Sequence, residues 1–115
     1  MTERKCALVT GAGRGLGKAI ALGLAAEGYD VGVNYNASEE KARAVCAAIE
    51  AMGRRAIPIR ADVGDLRDID AMFDAFLDAF GRIDVLVNNA GVNSHRTISE
   101  TTPELFDQVV NIDFR

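Results

Sequence analysis

Cys6 to Gly17 reads C-A-L-V-T-G-A-G-R-G-L-G, an apolar run of strand length that breaks into glycines and then enters a helical pattern. Glycines at the start of a helix present backbone N–H groups with no side chain in front of them. The orphan donors and the positive end of the helix dipole meet at that point, so the stretch is suited to hold a phosphate without help from a lysine. The general dinucleotide pattern G-x-G-x-x-G fails from Gly11, where Leu16 occupies the third glycine position, and from Gly13, where Lys18 does. A looser pattern, T-G-x-x-x-G-x-G, is met by Thr10, Gly11, Gly15 and Gly17.

The elements that follow alternate in kind. Gly17 to Glu27 carries Ile20 and Leu24 one turn apart among alanines, with Gly28 as the stop. Val31 to Asn36 reads as a second strand, and its uncharged Tyr35-Asn36 end lacks the acidic residue that would bind a ribose 2′-hydroxyl. Asp30 stands at the start of that strand, at the sheet edge opposite a ligand, and is not a substitute. Ser38 caps a helix with Ala42, Val45, Ile49 and Met52 on one face and Gly53 at its end. Ala56 to Val63 reads as a third strand, and Pro58 within it requires a sheet edge. Right-handed crossovers then give a parallel sheet of order 3-2-1-4. Asp65 opens a strongly amphipathic helix with Leu66, Ile69, Phe73, Phe76 and Phe80, closed by Gly81. Ile83 to Val87 is a fourth strand, running into Asn88-Asn89-Ala90-Gly91. Thr102-Pro103-Glu104 starts a helix that should continue to the end of the chain, leaving the fourth strand with an unpaired edge.

The fold class expected is therefore α/β, a Rossmann-type parallel sheet with helices on both faces, truncated before a fifth strand. The 115 residues make one partial domain. The formal net charge of −4, with no basic cluster interleaved with aromatics, disfavours a nucleic-acid partner. No apolar run approaches the ~20 residues of a membrane span, and Met1 to Lys5 does not read as a signal peptide, so a cytoplasmic protein without a membrane partner is expected. Cys6 and Cys46 lie in apolar patterns without metal-ligand spacing and read as buried free thiols; no metal site is expected.

Beyond the glycine turn, Asp62-Val63, Asn88-Asn89-Ala90-Gly91 and Val110-Asn111 fall where the short-chain dehydrogenase/reductase family has its adenine contact, its N-N-A-G signature and its active-site asparagine. The chain resembles the amino-terminal, cofactor-binding half of that family, and most nearly its NADP(H)-preferring 3-oxoacyl reductase-like members. The resemblance implies an NAD(P)-dependent oxidoreductase that interconverts a ketone and a secondary alcohol by hydride transfer. It implies phosphate contacts at Gly11, Arg14, Gly15, Leu16 and Gly17, and adenosine contacts at Asn36, Asp62 and Val63. Asn89, Ala90 and Gly91 would meet the nicotinamide ribose, and Asn111 would hold a water in a proton relay. Arg14 and the uncharged Tyr35-Asn36 end favour NADP(H), with NAD(H) possible.

The family's catalytic serine and its Tyr-x-x-x-Lys pair have no counterpart here. Tyr29 and Tyr35 lack a lysine four residues on, Ser94 and Ser99 fall too early, and His95 reads as a solvated loop residue. The chain alone is expected to be inactive. Its partner would be a small carbonyl or alcohol substrate, and another subunit packed on the helix starting at Thr102 would make a homo-oligomer. Two other readings stay open: a stand-alone nucleotide-binding module or truncated product, and a doubly wound methyltransferase, which the Tyr35-Asn36 end opposes.

Overall fold

In the computed structural model, residues 4–89 are described in full and residues 110–113 by their backbone. The elements are β1 (Lys5–Val9), α1 (Gly15–Ala26), β2 (Tyr29–Tyr35), α2 (Glu39–Ala51), β3 (Ala56–Arg60), α3 (Leu66–Phe80), β4 (Val85–Asn88) and β5 (Val110–Asp113). The sheet is parallel, with order β3-β2-β1-β4-β5. The first four strands stand in the expected order. Pro58 lies in the edge strand, opposite Val33, where its missing N–H can be tolerated.

Side chains alternate across the sheet and sort into two cores. Ala7, Val9, Val31, Val33, Val85 and Val87 face α1 and α2, where they meet Ala21, Ala25, Val45 and Ile49. Cys6, Leu8, Ile59 and Leu86 face α3 and meet Ile69, Phe73 and Phe76. Each sheet face carries every second residue because the strand period is two. Gly32 belongs to the α3 face, and a Cβ there would lie 2.6 Å from a Phe76 ring carbon, so the missing side chain lets the helix sit close to the central strands.

The stripe that α1 buries is Gly17, Ala21 and Ala25, with Ile20 and Leu24 only half covered. Small residues thus form the contact, and the larger ones flank it. Met52, expected on the buried face of α2, is 45% exposed beyond the helix end.

Asp30 and Asp84 share one structural role at the starts of β2 and β4, the strands that flank β1. Asp30 Oδ1 accepts from the backbone N–H of Arg55 at 2.9 Å, and Asp84 Oδ2 accepts from that of Cys6 at 2.8 Å. Each carboxylate therefore ties two strands at the edge away from the glycine turn. Burial alone would raise the Asp84 pKa, but the Arg82 guanidinium and the Cys6 N–H together outweigh it and hold the carboxyl below its ordinary value. Cys6 and Cys46 are buried and unpaired, as expected, and burial pushes both thiols up to about 11.

The carboxy-terminal expectation is corrected. Residues 110–113 form a strand paired with β4, so the helix expected from Thr102 does not continue to the chain end, and β4 has no open edge there. Residues 102–109 lie outside the described residues. Val110-Asn111-Ile112-Asp113 alternates apolar and polar, which suits a strand, and the open side of β4 supplies the pairing that decides between the two readings of a short apolar run.

Candidate functional site: the turn at the carboxyl ends of β1, β2 and β3

At the carboxyl end of β1 the chain turns through Thr10 to Arg14 into α1. Thr10 fixes the turn to β4: its N–H donates to the Val87 carbonyl at 3.0 Å, and its Oγ1 accepts from the Asn89 N–H at 2.8 Å. Asn89 returns the contact, since its Nδ2 donates to the Gly11 carbonyl at 3.3 Å. Gly17 closes the same knot. A Cβ on Gly17 would stand 2.2 Å from Gly11 O and 2.6 Å from Asn89 Nδ2, so no side chain fits between helix and turn.

The first turn of α1 is left open. Arg14 is the N-cap in extended geometry with no side-chain cap, and no acidic residue stands in the first turn. The other two described helices are closed at this position: Ser38 accepts from Lys41 N, Asp65 accepts from Arg67 N, and acidic residues follow in each first turn. The N-terminus of α1 therefore presents unoccupied donors and an uncompensated positive dipole end, the condition for an anion. Gly15 sits there with φ +60° and nothing within 4 Å of where a Cβ would be, and Leu16 beside it is 55% exposed.

Asn34 is the residue framing the candidate site that the sequence reading missed. It is 1% exposed, and its side chain joins three strand ends. Oδ1 accepts from Gly11 N–H at 3.0 Å, while Nδ2 donates to the Ile59 and Ala61 carbonyls at 3.2 Å each. Its own carbonyl accepts from Ala12 N–H at 2.9 Å. The glycine turn, β2 and the end of β3 are thereby held in one hydrogen-bonded frame, each polar group satisfied in a buried place. The available signal was a polar residue inside an otherwise apolar strand.

β3 ends at Arg60, so Asp62 and Val63 lie past the strand on the loop to α3 and not within it. The Asp62 N–H donates to Asp68 Oδ2, and Asp62 Oδ1 accepts from Gly64 N–H, both at 2.9 Å. Asn36 is exposed beyond the end of β2. Thus Gly11, Arg14, Gly15, Leu16, Gly17, Asn36, Asp62, Val63 and Asn89 all fall at the carboxyl ends of the parallel strands, where open α/β sheets bind ligands. Ala90, Gly91, His95, Ser94 and Ser99 lie outside the described residues. Asn111, expected on a helix, lies in β5 opposite Leu86. Among the described residues, no group of His, Cys, Asp or Glu could hold a metal, and no helix is long and apolar enough to cross a membrane.

A parallel sheet of this order, with an uncapped glycine turn after its first strand, defines a Rossmann-type nucleotide-binding half. The short chain dehydrogenase profile matches residues 5–115, and the chain belongs to that family. Among curated proteins it is 44% identical to a 3-oxoacyl-(acyl-carrier-protein) reductase of Staphylococcus aureus, over all of this chain and 47% of that protein. It is 42% identical to a hydroxynaphthalene reductase of Aspergillus fumigatus, over 96% of this chain and 41% of that one. A solved short chain dehydrogenase of Burkholderia cenocepacia, in complex with NADP, superposes with TM-score 0.82 at 38% identity, covering 93% of this chain and 54% of that one. An acetoin dehydrogenase of Enterobacter cloacae gives 0.76 at 42% identity, covering 82% and 37%. The chain spans about half the length of the curated relatives it matches.

Proposed function

We propose that the chain is the cofactor-binding half of an NADP(H)-dependent oxidoreductase that interconverts a ketone and a secondary alcohol. The observation that carries the reading is the open N-terminus of α1, the one described helix without a side-chain cap, facing a turn locked by Thr10 and Asn89. The bound nicotinamide supplies or accepts the hydride.

The chain's own residues bind and orient. Gly15, Leu16 and Gly17 offer backbone donors to the pyrophosphate, with Gly15 leaving the approach free of side chain, while Gly11, whose N–H is held by Asn34 Oδ1, shapes the turn beside it. Arg14, whose N-cap position has no side-chain cap bond, and Asn36 at the end of β2 take the adenosine 2′-phosphate. Asp62 and Val63 border the adenine; Asn89, Ala90 and Gly91 approach the nicotinamide ribose; Asn111 holds a relay water. The NADP complex of the Burkholderia relative and the reductase names of the curated relatives support the cofactor and the reaction class. NAD(H) is the weaker ligand in this reading. Family members commonly act as soluble oligomers, and we extend to this protein a cytoplasmic location, a small carbonyl substrate and self-association.

Titration of the full-length protein with NADPH and NADH, followed by nicotinamide fluorescence, tests the reading. NADPH should bind more tightly, and Arg14→Ala should narrow the difference. Tenfold tighter NADH binding, about 1.4 kcal/mol in the wrong direction, or no binding of either, overturns it.

A further inference from the structure

We propose that Arg60 sets the preference for the phosphorylated dinucleotide by orienting Asn36, and not by lending its charge. The proposal rests on the cofactor reading above and assigns a positioning residue to it. Arg60 ends β3 opposite Tyr35, one residue before Asn36 on the neighbouring strand. Its guanidinium grips Asn36 twice: Nε donates to the backbone carbonyl at 3.3 Å, and one terminal nitrogen donates to Oδ1 at 3.0 Å. The other terminal nitrogen donates to Asp68 Oδ2 at 2.9 Å, and that same oxygen accepts from the Asp62 N–H. One guanidinium thus ties the end of β2 to the loop carrying Asp62, the two sides of the adenosine end of the site.

The chemistry of the grip fixes which way the amide faces. A guanidinium can only donate, so the Asn36 oxygen must turn toward Arg60, and the Nδ2 hydrogens are what the side chain has left for a ligand. An unrestrained asparagine can present either limb. A ribose 2′-hydroxyl is favoured by an acceptor, ordinarily a carboxylate, whereas a 2′-phosphate only accepts. An amide locked as a donor therefore selects the phosphate. Charge is the lesser contribution, because Asp68 offsets Arg60 at contact distance, and the pair, with side chains 55% and 31% exposed, is screened by solvent. Arg14, by contrast, has no ion-pair partner among the described residues.

The test is a double-mutant cycle on the full-length protein, with the dissociation constants of NADPH and NADH measured for wild type, Arg60→Lys, Asn36→Ala and the double variant. Lysine keeps the charge but cannot fork onto both Asn36 oxygens and Asp68 together. Arg60→Lys should weaken NADPH about tenfold, the worth of one hydrogen bond to a charged group, and change NADH by less than about twofold. Asn36→Ala should match it, and the double variant should lose no more than either single change. Additive losses, an unchanged ratio of the two nucleotides in Arg60→Lys, or equal weakening of both overturns the proposal while leaving the cofactor reading intact. A wild-type protein without NADPH preference overturns both, and it is visible before any substitution is made.

Discussion

The same substitution at two places on α1 should have opposite effects, and the structure gives the size of each. At Gly17 a methyl group would stand 2.2 Å from the Gly11 carbonyl oxygen and 2.9 Å from its carbon, so helix and turn must part by roughly 1 Å to reach ordinary carbon–oxygen contact. Such overpacking costs about 1–3 kcal/mol. The Asn89 Nδ2 to Gly11 O hydrogen bond lies in the path of the methyl, and its loss adds about 1 kcal/mol. Alanine's better helix propensity returns about 1 kcal/mol, leaving Gly17→Ala destabilised by roughly 1–3 kcal/mol. Gly23 is exposed on the same helix with nothing within 4 Å of its would-be Cβ, so Gly23→Ala keeps the propensity gain alone, about 0.5–1 kcal/mol. Urea unfolding of both variants, analysed at a common slope, reads the gap directly. Gly17→Ala should also lose nucleotide binding, because the parted turn no longer aligns its donors. If Gly17→Ala proves as stable as Gly23→Ala, the locked turn described here is wrong.

Two further substitutions probe buried polar groups. Asn34→Asp keeps the size and the bond from Gly11 N–H but turns a carboxylate oxygen toward the Ile59 and Ala61 carbonyls, which raises the pKa of the new acid above its unfolded value near ~3.9. Relative to the parent, stability of that variant should fall as pH rises from about 4 to 7; a difference between the two urea midpoints that does not change with pH would remove Asn34 from the frame. Asp84, held below its ordinary pKa, contributes stability that is present above the unfolded value and lost as pH falls through the folded one. Asp84→Asn should therefore flatten the acid limb of the stability curve below about pH 4, and an acid limb as steep as the parent's would show that the Arg82 contact contributes nothing.

Much of this fold is legible from local features, because each helix and strand is bounded by its own punctuation. Ser38, Asp65 and Gly81 cap where their types suggest, with Gly81 in the left-handed region. The proline in β3 foretells an edge, and the parallel topology explains why Asp30, at the start of β2 and away from the glycine turn, is structural. What stays hidden depends on register between distant segments. Asn34 reads as a weak spot in a strand until β3 is set beside it, when its amide proves to face two carbonyls. Arg60 reads as an exposed strand residue until the Tyr35 to Arg60 pairing brings it to Asn36. The strand at 110–113 was hidden for a different reason: intervals of three and four among Leu105, Val109 and Ile112 outweigh an alternation only four residues long, and the choice belongs to β4, not to the segment.

Pro58 also decides where the sheet stops. The Ala61 N–H donates inward to Tyr35 O, and because strand N–H groups alternate in direction, those of residues 59 and 57 point inward too, while position 58 points outward. The proline thus gives up no bond to β2, and the donor it lacks is one that an incoming strand would need at the middle of β3. A second chain laid along this border would find the outward donor row interrupted by a ring, so the border is blunt toward polymer growth while the interior ladder stays complete.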